Sequence, residues 1–261
     1  MKQLDLTGKT AVVTGGAGQI GRAISKALAD CGANVAVTYF SQGDLAKKLC
    51  QSLESDYKVK SVAIHTDITD KKSIEVMKKE VNEKLGFASI IVNNAIFNKY
   101  EWKTVLDQDV ESYDSQFRTC VLQAVLMAQV FVPDMIEQNY GRVIGINTEC
   151  SMQMFTYQSA YVSGKRGMDG VYKILAKEVG KHNITVNQIA PGWTITDSNR
   201  NPDPSLPNLK QTIPYVDLVP MGRRGSDEEV ANAVCFIASD LASFITGAFL
   251  NVCGGSIMPS I

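Results

Sequence analysis

Thr10-Ala11-Val12-Val13-Thr14-Gly15-Gly16-Ala17-Gly18-Gln19-Ile20-Gly21 passes from a strand through a glycine turn into a helix, and the rest of the chain repeats that alternation. Residues 10–14 are a short β-branched run that ends on glycines, which reads as a strand. Over 18–30, Ile20, Ala23, Ile24, Ala27 and Leu28 recur at helical spacing. The turn between them matches G-x-G-x-x-G at Gly16, Gly18 and Gly21. Small residues let the backbone approach a pyrophosphate, and the helix N-terminus adds N–H groups and the positive end of a dipole. Glycine turns also join strands to helices that hold no ligand, so the motif draws its weight from the strand–turn–helix setting.

Outward from this unit, Cys31-Gly32 closes the helix and 34–39 is the next strand. Helix 43–55, strand 60–64, helix 70–85 and strand 88–93 follow. After them come helix 109–138, strand 142–147, helix 158–180, strand 184–190, helix 226–239 and strand 247–252. The pattern predicts an α/β fold: a doubly wound, Rossmann-type parallel sheet of about seven strands with helices on both faces. The rhythm breaks at 197–224, which carries Pro202, Pro204, Pro207, Pro214 and Pro220. Such a stretch reads as a substrate lid or loop. With no repeat or linker elsewhere, residues 1–261 are expected to form one domain.

Composition narrows the function classes. Of 261 residues, 45% are apolar and 20% charged, as in ordinary globular chains. Lys plus Arg number 26 against 27 Asp plus Glu, and no long basic run gives nucleic acid or an anionic membrane an electrostatic foothold. The six cysteines include no C-x-x-C pair and read as reduced thiols. His65 and His182 are the only histidines, too few for a His-rich metal centre, so no metal is expected. The start, MKQLDLTGKT, has no apolar core, and no uncharged apolar stretch of about 18 residues follows. A cytoplasmic protein is expected.

The usual partner of the glycine turn is an acid about 20 residues on, which grips the ribose 2′-hydroxyl. Here the second strand ends in Thr38-Tyr39-Phe40-Ser41-Gln42, with no acid before Asp44. An uncharged rim at Ser41 removes a repulsion against a 2′-phosphate, yet no Arg stands there and Lys47 is the nearest cation. The balance tilts slightly to NADP(H) over NAD(H).

Tyr161-Val162-Ser163-Gly164-Lys165 falls in a helical stretch, so its i, i+4 spacing puts phenol and ammonium on one face. A close cation lowers a tyrosine pKa of ~10 by ~1–3, which makes a usable acid or base near neutral pH. On its own, Tyr-x3-Lys reads as a solvated helix face. Together with the glycine turn, Asn93-Asn94-Ala95 after strand four, Gly141-Arg142-Val143-Ile144, Pro191-Gly192 after strand six and Ser243-Phe244-Ile245-Thr246-Gly247 before strand seven, it resembles the short-chain dehydrogenase/reductase family, in its 3-oxoacyl reductase-like branch. The resemblance covers essentially the whole chain.

The resemblance implies roles position by position. Tyr161 protonates a substrate carbonyl oxygen, Lys165 binds the nicotinamide ribose and lowers the tyrosine pKa, and Thr148 stands where the family has its catalytic serine. A threonine hydroxyl still donates to a carbonyl; its alternative is a β-branched strand end. Gly15, Gln19 and Ile20 line the pyrophosphate turn, and Ser41 the adenosine ribose. Asp67 and Ile68 meet the adenine, although Asp67 also reads as an N-cap that Asp70 could supply instead. Asn94 and Ala95 line the adenosine-ribose side, and Pro191, Gly192 and Thr194 hold the nicotinamide carboxamide. Phe97, Tyr100, Trp102, Glu149, Met152, Gln153, Met154, Phe155 and Trp193 are expected around a small, largely apolar or cyclic ketone or alcohol.

Four positions depart from the family: Gln19 for a glycine, Ile96 for the glycine of Asn-Asn-Ala-Gly, Cys120 for a catalytic asparagine, and Cys253 for an aspartate. Cys120 and Ile96 keep open a dinucleotide-binding regulatory protein with little or no turnover. Non-redox dehalogenation or dehydration on the same scaffold is a further alternative, against which Lys165 speaks. Enoyl-reductase spacing would need a tyrosine at 158, where Gln158 stands. A homotetramer or dimer is expected, paired through helices 109–136 and 158–180, with Gly164, Gly167 and Gly170 permitting close approach.

Overall fold

Strands buried on both faces need apolar residues at every position, and their alternate side chains serve two different layers. The computed structural model describes residues 4–96, 101–196 and 215–258. Strands β1 (Thr10–Val13), β2 (Asn34–Tyr39), β3 (Ser61–His65), β4 (Ala88–Asn93), β5 (Gly141–Ile146), β6 (Ile184–Pro191) and β7 (Phe249–Val252) pair in parallel in the order β3-β2-β1-β4-β5-β6-β7. The helices are α1 (Gln19–Asp30), α2 (Gly43–Tyr57), α3 (Lys71–Leu85), α4 (Val110–Gln116), α5 (Gln123–Glu137), α6 (Cys150–Gln153), α7 (Ser159–Val179) and α8 (Asp227–Ala238). Val13, Ile90, Val92 and Ile144 pack with α1, α2 and α8; Val12, Ile91 and Val143 pack with α3, α5 and α7. This is the doubly wound sheet that the sequence pattern predicts.

The strand order reverses between β1 and β4, and ligands of such sheets bind outside the carboxyl ends of the strands at that point. Asp70 caps α3 by accepting from the Lys72 N–H at 3.1 Å, so Asp67 does not cap that helix. Asp67 instead accepts from the N–H and hydroxyl of Thr69, at 2.8 and 2.7 Å.

The single helix expected over 109–138 is α4, a π turn at Phe117–Leu122, and α5. By length and composition, Val110–Glu137 is apolar enough to cross a membrane. Its Met127, Phe131 and Met135 are buried in the layer between α5 and the sheet. Two of the glycines expected at a subunit contact serve the chain itself. A Cβ on Gly164 would stand 2.9 Å from the Gln116 carbonyl oxygen, and one on Gly167 2.7 Å from Val121. Both glycines let α7 lie close against the α4–π segment, whereas Gly170 faces open space. Residues 197–214 of the expected lid, and Phe97 and Tyr100 of the expected substrate wall, lie outside the described residues. Tyr215–Leu218 forms a single 3-10 turn.

Candidate active site

The glycine turn closes directly onto the segment after β4. Gly15 has φ +60°, and a Cβ on it would press on Ala95 at 3.1 Å. A Cβ on Gly21 would reach within 2.8 Å of Asn94 Nδ2. That amide donates to the carbonyls of Thr14 and Gly15 at 2.9 and 3.2 Å. The Thr14 hydroxyl accepts from the N–H groups of Asn94 and Ala95 at 2.9 and 3.0 Å and donates to Gln123 Oε1 at 2.7 Å. Gln123 Nε2 returns to the Ala95 carbonyl at 2.8 Å. Gln123 is a site residue that the motif reading missed. Its signal was a polar residue inside the apolar run from Val121 to Met127.

This cradle fits a dinucleotide. Backbone comes as close as side chains permit, no side chain caps the first turn of α1, and no acid stands in that turn to repel a phosphate. Ile96 does not take the positive φ open to the glycine it replaces. Further along the same edge, β2 and β3 pair in register through Tyr39 and His65, so that Ser41 and Asp67-Ile68 follow the ends of neighbouring strands. Phe40 stacks on His65 there, ring centroids 5.6 Å apart at 26°. Among the expected adenosine contacts, Ser41 is exposed, and Asp67 and Ile68 are half-buried.

The second half of the site gathers at the ends of β5 and β6 and on the first turns of α7. Lys165 is 4% exposed, and its Nζ donates to the Ile146 carbonyl at 2.6 Å. Burial pushes its pKa below the ordinary lysine value, while the neighbouring Cys120 works the other way. The same ammonium lies 6.0 Å from the centroid of the Tyr161 ring, whose edge-to-face neighbour is Trp102 at 6.3 Å and 77°. Thr148 is buried, and its hydroxyl accepts from the Cys150 N–H at 3.2 Å. Asn147 stiffens the loop, its amide donating to the Lys165 carbonyl at 3.1 Å and to Gln188 Oε1 at 2.7 Å; Gln188 in turn donates to Asp169 at 2.8 Å. Cys120 lies in the π turn, 1% exposed, with its sulfur 4.0 Å from Gln116 Oε1. π turns are frequent at functional sites.

The Glu149 N–H donates to the Pro191 carbonyl at 2.9 Å, and the Gly192 N–H to that of Val252 at 3.0 Å, so the ends of β5, β6 and β7 are stitched together. Thr194 is buried, its hydroxyl donating to the Gly192 carbonyl at 3.0 Å. Glu149, expected in the substrate wall, is instead 1% exposed and accepts from Ser256 Oγ, beyond β7. Met154 is 56% exposed and takes a left-handed φ of 56° at the end of α6. The arrangement offers a phenol on α7 and a hydroxyl at the end of β5, with a buried ammonium one helical turn from the phenol.

Comparison with known proteins places the chain in a family. The family model described as enoyl-(acyl carrier protein) reductase matches residues 15–256. The 3-oxoacyl-(acyl-carrier-protein) reductase FabG of Aquifex aeolicus is 33% identical over 253 residues, which cover 97% of this chain and 99% of that protein. FabG of Staphylococcus aureus is 32% identical over 259 residues, covering 96% and 98%. The 2,3-dihydroxy-2,3-dihydro-p-cumate dehydrogenase of Pseudomonas putida is 32% identical over 256 residues, covering 98% and 96%. Similarity that runs the length of the sheet and through both halves of the site makes this chain a member of the short-chain dehydrogenase/reductase family, NAD(P)-dependent oxidoreductases that act on CH–OH groups.

Proposed function

We propose that this chain reduces a ketone to a secondary alcohol with NADPH, the whole chain working as one dinucleotide-binding unit. The observation that carries the reading is Lys165: its ammonium is buried on the Ile146 carbonyl, one turn from Tyr161 and beside Thr148's strand end. The cofactor supplies the hydride. Tyr161 gives its proton to the carbonyl oxygen, Thr148 donates a hydrogen bond to the same oxygen, and Lys165 favours the ionised phenol that results. Gly15, Gln19, Ile20, Asn94 and Ala95 hold the pyrophosphate and neighbouring ribose, Ser41, Asp67 and Ile68 the adenosine end, and Pro191, Gly192 and Thr194 the carboxamide. NADPH is preferred because Ser41 presents no carboxylate to a 2′-phosphate.

The relatives named above act on 3-oxoacyl thioesters and on a dihydroxylated ring, so both substrate shapes deserve trial. Gln158 stands where an enoyl reductase's tyrosine would be, which favours a carbonyl as the group reduced. Six free thiols suit a reducing cytoplasm. The test is NADPH oxidation with acetoacetyl-CoA, cyclic ketones and an enoyl-CoA. Turnover of a ketone supports the reading; turnover of the enoyl thioester alone overturns it.

Cys120 favours the alternative, a dinucleotide-binding protein without turnover. Cys120→Asn decides whether that position moves protons. If it does, the pH–rate profile shifts while NADPH affinity stays as in wild type. A lower melting temperature with an unaltered profile would mean that the thiol only fills the core, the buried amide then costing ~1–3 kcal/mol. We also assign a homotetramer or dimer. Val110, Phe117, Ile174 and Phe244 leave large apolar side chains exposed on α4, the π turn, α7 and the approach to β7. Light scattering at micromolar concentration checks this, and a monomeric mass would refute it.

A further inference from the structure

The proposed reaction makes no use of Glu149, the most deeply buried acid in the candidate site. A carboxyl group taken out of water is costly unless it is hydrogen-bonded, and this one is. It accepts from Ser256 Oγ, beyond β7, and the Tyr215 hydroxyl, on the 3-10 turn, stands close to the same carboxyl group. Tyr215 in turn accepts from the Trp193 N–H at 3.0 Å. Burial raises the pKa of that phenol, and the neighbouring Glu149 raises it further, so Tyr215 stays a neutral hydroxyl. Gly192 leaves room for the cluster: a Cβ there would stand 2.5 Å from the Tyr215 hydroxyl and 3.1 Å from Glu149 Oε2.

A second prop holds the same turn from its other side. The Trp193 ring meets Tyr215 edge to face at 5.5 Å and lies under the Arg224 guanidinium at 4.5 Å. Arg224 also donates to the Trp193 and Thr194 carbonyls at 3.0 and 2.8 Å. Three backbone groups of Trp193–Thr194 are therefore held by side chains from 215–224. Glu149 ties that assembly to the residue next to Thr148.

We infer that Glu149, Tyr215 and Arg224 are positioning residues that brace Gly192-Trp193-Thr194, so that the nicotinamide end of the dinucleotide is seated in register with Thr148. The inference rests on the dinucleotide reading above. It is specific to one end of the cofactor: the brace lies at the ends of β5, β6 and β7, remote in sheet order from Ser41 and Asp67 at the ends of β2 and β3.

The test therefore compares NADPH with its adenosine half, 2′,5′-ADP, alongside NADH and ADP, by titration of the full chain and its variants. Tyr215→Phe keeps the ring on Trp193 and removes the hydroxyl that accepts from the Trp193 N–H beside Glu149. It is expected to weaken NADPH by about 10-fold, within the range for leaving a backbone N–H without its partner, and to leave 2′,5′-ADP within about 2-fold. Glu149→Gln, which keeps shape and one acceptor oxygen, should fall between wild type and Glu149→Ala. If Glu149→Ala does not fold, the other two variants carry the comparison. Equal weakening of NADPH and 2′,5′-ADP, or no weakening of NADPH, overturns the inference. Wild-type protein that binds no dinucleotide overturns the cofactor reading itself, and the brace with it.

Discussion

Tyr161→Phe is expected to lower ketone turnover by ~10²–10⁴-fold, the range for loss of a general acid, with little change in melting temperature or NADPH affinity. The substitution removes one hydroxyl and keeps a ring that packs edge to face on Trp102 and lies 6.0 Å from Lys165. Thr148 remains to polarise the carbonyl, which accounts for residual rate. Proton donation matters only as the carbon–oxygen bond changes order, so kcat and kcat/KM should fall together. A variant with wild-type rate would remove Tyr161 from the reaction.

Lys165→Met should lower turnover by about 10²-fold or more, since the cation that favours the ionised phenol is lost, and should weaken NADPH as well. It also makes a stability prediction whose sign follows from burial. The folded-state pKa of Lys165 lies below its unfolded value, so the unfolded chain binds more protons across the interval between the two. The contribution of this lysine to stability is therefore least favourable at low pH and improves as pH rises toward the ordinary value of ~10.4. Urea unfolding of both proteins at about pH 7 and about pH 9.5 reads the difference. Wild type should gain on the Met variant with rising pH. A constant difference, or one that moves the other way, would mean that the ammonium is solvated.

The features that sequence carries locally were legible. Strands β1, β4, β5 and β6 stand out because a doubly covered sheet tolerates few polar residues, and the glycine turn is read within a dozen residues. Strand β3 runs Ser61–His65, one residue later than 60–64, because its pairing with β2 extends to Tyr39↔His65. The π turn at Phe117–Leu122 leaves no mark on apolar periodicity, since α4 and α5 continue the same buried face on either side of it. The site divides the same way. Tyr161 and Lys165 are one helical turn apart and visible as a pair. Glu149 and Ser256 are 107 residues apart, and Arg224 and Trp193 are 31 apart. Side chains so distant become partners only through the strand order, so position in the chain alone points Glu149 to the substrate wall, whereas its carboxyl is buried against Ser256.

The most direct test of a nicotinamide-dependent ketone reductase is a single pair of measurements on wild type and Tyr161→Phe. Each protein is first titrated with NADPH, then given acetoacetyl-CoA or a cyclic ketone while NADPH absorbance is followed. The account predicts that both bind NADPH with similar affinity and that only wild type consumes it with a ketone. NADPH binding by both with no consumption by wild type on any ketone, or equal consumption by the two, would contradict it.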